Sequence, residues 1–188
     1  MPTARPEVLD FLLTRRSRPA RLMAPPGPDR AALETMLTAA ARVPDHGKLE
    51  PWRFVVLCPD ASRRYAAAVR ERAQAAGQEA EKGALAFEQA PLSVAVVASP
   101  RPAGKIPVIE QTLSAGAVCL GLLNAALASG WAGCWLTGWT AYDRPLLENG
   151  LGLAPEEWLA GFVHIGSEGA APPYRPRPDL ARIVDWRE

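Results

Sequence analysis

Apolar positions recur at helical spacing over several long stretches of the chain and run together in four short blocks. Leu9, Leu12 and Leu13 open the pattern and predict a helix over about 6–15. Comparable spacing predicts helices over about 30–42, 60–75, 79–89 and 108–129, with shorter ones near 143–149 and 155–158. Asp29 and Asp60 stand where helix caps would, and Gly130 lies just past the longest helix. The compact apolar blocks 53–57, 92–98, 132–136 and 161–165 read as strands. Short strands separated by long helices predict a central sheet covered by helices, in the α+β or α/β range.

Two features of the longest helix bear on its surroundings. Ala117, Gly121, Ala125 and Ala128 form a row of small residues that lets another helix approach closely, from the same subunit or from a second one. Its apolar run, 113–128, spans about 16 residues, contains Asn124 and falls short of the roughly 20 needed to cross a bilayer. A buried helix is therefore expected, and no membrane.

Composition narrows the classes. A chain of 188 residues suits one domain over 1–188. A formal net charge of +1, with no Lys/Arg-rich run, argues against an electrostatic grip on nucleic acid. Cys58, Cys119 and Cys134 lie far apart, in no Cys-x-x-Cys pair and with no histidine at metal spacing. That usage points to a reducing cytoplasm and to no metal, and residues 1–6 show no leader. Prolines gather at 25–28, 100–107 and 172–178, marking loops or extended arms.

The candidate chemistry begins at Arg15-Arg16-Ser17-Arg18, where guanidinium forks beside a hydroxyl suit a phosphate, although arginines at a helix end are also commonly solvated. No dinucleotide-binding glycine motif, phosphate loop or nucleophile elbow occurs, and His46 and His164 are the only histidines. A bound cofactor would have to supply the reactivity. His164 lies within an apolar strand and reads as a core residue, whereas His46 sits in a helix-to-strand loop where binding residues gather. Gly133-Cys134-Trp135-Leu136-Thr137-Gly138 is a strand running into a glycine-bounded turn that admits a planar ligand, or simply a strand end with a buried tryptophan.

Taken together, five blocks resemble the nitroreductase family of flavin-dependent oxidoreductases, and most its small YdjA-type branch. They are Arg15-Arg16-Ser17; Arg42-Val43-Pro44-Asp45-His46 before Pro51-Trp52-Arg53-Phe54; Ser114-Ala115-Gly116; Gly133 to Gly138; and Gly161-Phe162-Val163-His164-Ile165-Gly166. The resemblance implies an α+β fold with a central mixed sheet covered by helices, and an interlocked homodimer sharing two FMN sites. Arg15, Arg16 and Ser17 would then hold the phosphate and ribityl chain, and Trp135, Leu136 and Thr137 would line the flavin. Arg42 and His46 would reach the flavin bound mainly by the partner subunit. The stretch Ala125, Ala126, Leu127, Ala128, Ser129 and Gly130 corresponds to a nicotinamide-nucleotide region.

The activity so implied is ping-pong hydride transfer from NADH or NADPH to a nitroaromatic, quinone or activated alkene. The alternatives are a flavin-binding sensor or carrier without turnover, and an enzyme that consumes FMN as substrate. Departures from the family pattern stand at Asp45, Lys48 and Glu50, around the Pro-Trp block, and at Leu136, where the branch can carry arginine. Arg175 and Arg177 are read as part of a solvated tail, with contact to phosphate or to the partner as the alternative.

Overall fold

The computed structural model describes residues 3–187; Met1 and Pro2, part of the stretch read for a leader, and Glu188 lie outside the described residues. Among these residues six α-helices surround five strands: α1 Pro6–Thr14, α2 Arg30–Ala40, α3 Pro59–Ala76, α4 Ala80–Gln89, α5 Val108–Ala128 and α6 Arg144–Leu151, with β1 Met23–Ala24, β2 Trp52–Leu57, β3 Leu92–Ala98, β4 Ala132–Leu136 and β5 Trp158–Glu168. Asp29 caps α2 as expected, accepting from the Ala32 amide at 2.8 Å. Asp60 does not cap α3: Cys58 takes that position, Pro59 fills the first helical turn, and Asp60 instead pairs with Arg63. The short helix expected over 155–158 is absent. Pro155 and Glu156 form a turn, closed by the Glu157 amide on the Ala154 carbonyl at 3.0 Å, and β5 starts at Trp158.

β5 is the spine of the sheet. It pairs with β3 along one edge and with β4 along the other, and its last residues pair with β1, while β2 lies outside β3. All four pairings are antiparallel, so within one chain the expected mixed sheet is wholly antiparallel. The connections explain it. Two helices, α3 and α4, carry the chain out and back between β2 and β3, which reverses the strand. The single helix α5 leaves β4 parallel to β3, but β5 lies between them.

Alternation along β3 divides the core. Ala95 and Val97 face α3, α4 and α6, where Tyr65, Phe87, Leu146 and Phe162 pack; Val94 and Val96 face α2 and α5, where Met36, Val118 and Leu122 pack. Phe87 sits edge-on to Phe162, with ring centres 4.8 Å apart, and adds aromatic geometry to plain burial. The small-residue row of α5 is used within the chain: a Cβ on Gly121 would stand 3.3 Å from the Ala40 Cα, so α2 packs there.

α5 is 21 residues long, more than its 16-residue apolar run suggests, and by length and composition alone it is apolar enough to cross a bilayer. What ties it to the core is packing, for Val118, Cys119, Leu122 and Ala126 are fully buried against the sheet. Its outer face is bare: Ile109 is 61% and Leu113 66% exposed.

Candidate functional site

α1 ends as Arg15 leaves helical geometry at φ −53°, ψ 143°, which turns the chain extended and sets Arg15, Arg16 and Ser17 side by side. The segment is fixed to β4 by the Arg18 amide, which donates to the Gly133 carbonyl at 2.8 Å. The Arg18 side chain is spent elsewhere, on Glu168 at 2.7 Å. From the other end of the chain the proline-rich tail returns over this segment. Arg16 Nη2 donates to the Pro173 carbonyl at 2.8 Å, and Arg177 Nη2 donates to the Arg15 carbonyl at 3.2 Å.

These contacts border an open cavity of about 650 Å³ lined by Arg15, Arg16, Ser17, Trp135, Arg175 and Arg177, with Leu120 and Leu123 of α5 also on its wall. Arg175 and Arg177 keep exposed faces, yet they wall the cavity rather than trailing in solvent. Among the described residues, none of its four arginines has a carboxylate partner. Arg15 Nη2 donates to Ser17 Oγ at 3.0 Å, but its Nε is buried with no partner. Burial, then Arg177 and Arg16, push the Arg15 guanidinium below its ordinary range. A buried donor without an acceptor, under like charges, is the signature of a place for an anion.

Beyond Trp135 the cavity adjoins a second, of about 810 Å³, along which Leu136, Thr137 and Gly138 run opposite Lys82, Trp139 and Phe162. The Trp135 indole is held against β5 by its N–H edge. Its Nε1 donates to the Ala160 carbonyl at 3.2 Å, and a Cβ on Gly161 would stand 2.0 Å from that nitrogen. Gly161, at φ +155°, sits at an irregularity in the β3–β5 register, between the Val96 and Val97 pairings. Glycine is required there twice over, for the backbone angle and for the close approach of the ring. An anionic tail in the arginine cavity and a flat body across Trp135 suit this pair of spaces.

Arg42 and His46 line neither cavity; both are exposed on the loop between α2 and β2. That loop is tightly built. The Asp45 carboxylate accepts from the amides of Leu49 at 3.2 Å and Glu50 at 2.8 Å, around Gly47, Lys48 and Glu50 at φ 76°, 54° and 47°. Ser114 of α5 donates to the Pro44 carbonyl at 2.8 Å and accepts from Trp52 Nε1 at 3.2 Å. Asp45, Trp52 and Ser114, members of the blocks singled out by the sequence, thus build the loop that carries His46. Arg53 grips Glu157 through both oxygens, at 2.8 and 2.7 Å, and holds that carboxyl down to about 2.

Residues 125–130 form the last turn of α5 and its exit. Ala126 is wholly buried, whereas Ala128, Ser129 and Gly130 are exposed, and Leu127 and Gly130 border a small cleft beside Arg15 and Arg16. His164 is a core residue, as expected: Nδ1 lies 2.8 Å from Ser93 Oγ, and burial pushes the ring down to about 4.

The chain matches known proteins along most of its length. Residues 12–167 match the nitroreductase family. Over 164 residues it is 32% identical to "Putative NAD(P)H nitroreductase YdjA" of Escherichia coli K12, covering 86% of this chain and 88% of that protein. The fold is similar to that of a nitroreductase-like family protein from Bacillus cereus, with a TM-score of 0.81 at 22% identity over 100% of this chain and 99% of the other. It is also similar to that of an FMN-dependent nitroreductase from Clostridium difficile, with a TM-score of 0.72 at 18% identity over 96% and 99% of the two chains.

Proposed function

Because the chain belongs to the nitroreductase family, we propose that it is an FMN-dependent oxidoreductase working between NADH or NADPH and an oxidised acceptor such as a nitroaromatic, quinone or activated alkene. The observation that carries the reading is the buried, unpartnered Arg15 Nε in a cavity walled by four arginines that lack carboxylates. A phosphate there relieves both the missing acceptor and the like-charge crowding. Arg15, Arg16 and Ser17 would hold it, joined by Arg175 and Arg177, and Trp135, Leu136 and Thr137 would line the ring. When bound, FMN supplies the two-electron chemistry that this chain's own side chains lack. The protein's part is to fix the phosphate, lay the ring against the end of β4 and leave room beside it for donor and acceptor in turn. The exposed residues of 125–130 would meet the nicotinamide nucleotide.

A second copy of the chain completes the proposal. α1 has no buried residue, and its Leu9 and Leu13 are 60% and 70% exposed; α5 likewise leaves Ile109 and Leu113 bare. Apolar surface of that extent marks an interface. Glu110, which contacts His46, and Leu123, which borders the arginine cavity, are 13 residues apart on α5, about 20 Å along its axis. Such a separation favours Arg42 and His46 serving a ring held mainly by the partner. The three free thiols, of which burial pushes Cys119 and Cys134 up to about 12, suit a reducing cytoplasm.

The test is anaerobic mixing of the FMN-loaded protein with NADH and with NADPH. Rapid loss of the yellow absorption with at least one of them, and its return on adding acceptor, is the expected result. Bound FMN that neither nucleotide bleaches on a catalytic timescale overturns the reductase reading in favour of a carrier.

A further inference from the structure

The loop that carries His46 is attached to the amino-terminal part of α5 at three points. Ile106, two residues before the helix, covers Gly47, where a Cβ would stand 2.6 Å from its Cδ1. Glu110, in the first turn, places Oε2 at 2.6 Å from His46 Nδ1. One turn on, Ser114 holds the Pro44 carbonyl. The middle contact is unlike the other two. Its side chains are 63% and 44% exposed, so as an ion pair in water it adds little to stability. It does fix orientation, because a carboxylate on one ring nitrogen decides which nitrogen carries the proton and which way the other faces. Among the described residues His46 Nε2 has no partner.

We propose that Glu110 is a positioning residue for His46: it accepts the Nδ1 proton, fixes the neutral ring in that tautomer, and leaves the Nε2 lone pair to accept from the pyrimidine edge of a flavin held mainly by the second subunit. The inference rests on the FMN site and on the dimer proposed above. A flavin pyrimidine edge presents one N–H between two carbonyls, and a bare Nε2 is complementary to that single donor. The rest of the loop leaves the role to Glu110. Asp45 has both oxygens engaged by the Leu49 and Glu50 amides, the Glu50 side chain makes no hydrogen bond to His46 among the described residues, and Arg42 and Lys48 are cations that cannot accept the proton.

The chain has two histidines, which makes the ring directly observable. Long-range 1H–15N spectra of ¹⁵N-histidine-labelled protein at pH 8 are expected to show His46 protonated at Nδ1 and bare at Nε2. Glu110→Ala is expected to move it to a mixture dominated by the Nε2–H form, and Glu110→Gln, whose amide oxygen still accepts, to restore the original tautomer. His164, buried beside Ser93, serves as the internal control, since unchanged signals from it show that each variant is folded. Adding FMN should shift Nε2 of His46 in the parent protein, and Glu110→Ala should weaken FMN about tenfold, the effect of one misdirected hydrogen bond.

A parent protein already in the Nε2–H form, or a tautomer indifferent to Glu110→Ala, overturns the role of Glu110 whether or not FMN binds. FMN that binds without moving Nε2 overturns the contact to the ring and leaves the FMN reading standing. No FMN binding at all overturns the function proposed above together with that contact, while the tautomer result is judged on its own.

Discussion

Two sets of arginines in this molecule do opposite things. Arg53 holds Glu157, Arg70 holds Glu81 and Glu88, and Arg72 holds Asp143, each tying one element to another. Arg15, Arg16, Arg175 and Arg177 crowd one cavity without a carboxylate among them. In the first set the carboxylate answers the charge, and the arginine is structure. In the second the answering charge has to come from outside, and the folded chain carries the repulsion until it does. Pairing, rather than residue type, separates scaffold from site.

The contrast breaks most visibly by removing unpaired charge. Replacing Arg15 and Arg16 together by alanine should weaken FMN on the order of 1,000-fold, about 4 kcal/mol, in calorimetric titration. The ligand-free double variant should melt no lower than the parent, because like charges have been removed. Equal loss of affinity for riboflavin, which has no phosphate, would show that the arginines act on something else.

Acid attacks the paired set. Glu157 is held down to about 2 from an ordinary 4.5, first by Arg53. The unfolded chain therefore binds that proton more readily, and the contribution, at most about 3 kcal/mol, is present above pH 4.5 and lost as pH falls toward 2. His164, pushed by burial from 6.5 to about 4, stays neutral in the fold while the unfolded chain takes a proton, so its loss comes earlier, as pH falls from 6.5 to 4. Urea melts across this range should show both slopes, the first removed in Glu157→Gln and the second in His164→Gln.

Arg53→Ala should cost about 2 kcal/mol of stability, between a surface pair and a fully buried one because Arg53 is 37% exposed while Glu157 is 7% exposed. FMN affinity should not change. The smallest effect belongs to Arg70→Ala: its partners Glu81 and Glu88 are exposed, and the melting temperature should move by no more than about 2 °C.

Much of the scaffold was legible because helices and strands write their periods into the sequence, and α2 carries its cap in Asp29. β1 was not, since two residues, Met23–Ala24, have no period; they become a strand by lying beside Ser167 and Glu168. The turn at 155–158 read as a helix because Pro-Glu-Glu is common helix-opening chemistry, but the Glu157 carboxylate is claimed by Arg53, 104 residues away in the chain. β5 extended past its apolar block at both ends because the irregularity at Gly161 interrupts the alternation that would have shown its length. At the candidate site, Arg15 to Ser17 stood out as a cluster. Arg175 and Arg177 were legible only as the lesser alternative to a solvated tail, since a proline-rich tail has no period to say what it lies against. The roles of Ser114 and Glu110 were hidden for a similar reason, as their contacts bridge 70 and 64 residues.

The bare surface of α1 carries a consequence for measurement. A helix of nine residues is marginal alone in water, and this one leads directly into Arg15. Under the dimer proposed above, the second copy that covers α1 would also set the order of the arginine segment, linking cover and cofactor by mass action. Apparent FMN affinity should then fall as the protein is diluted through its own association constant, and a titration run at a single concentration would mistake a property of the assembly for one of the chain.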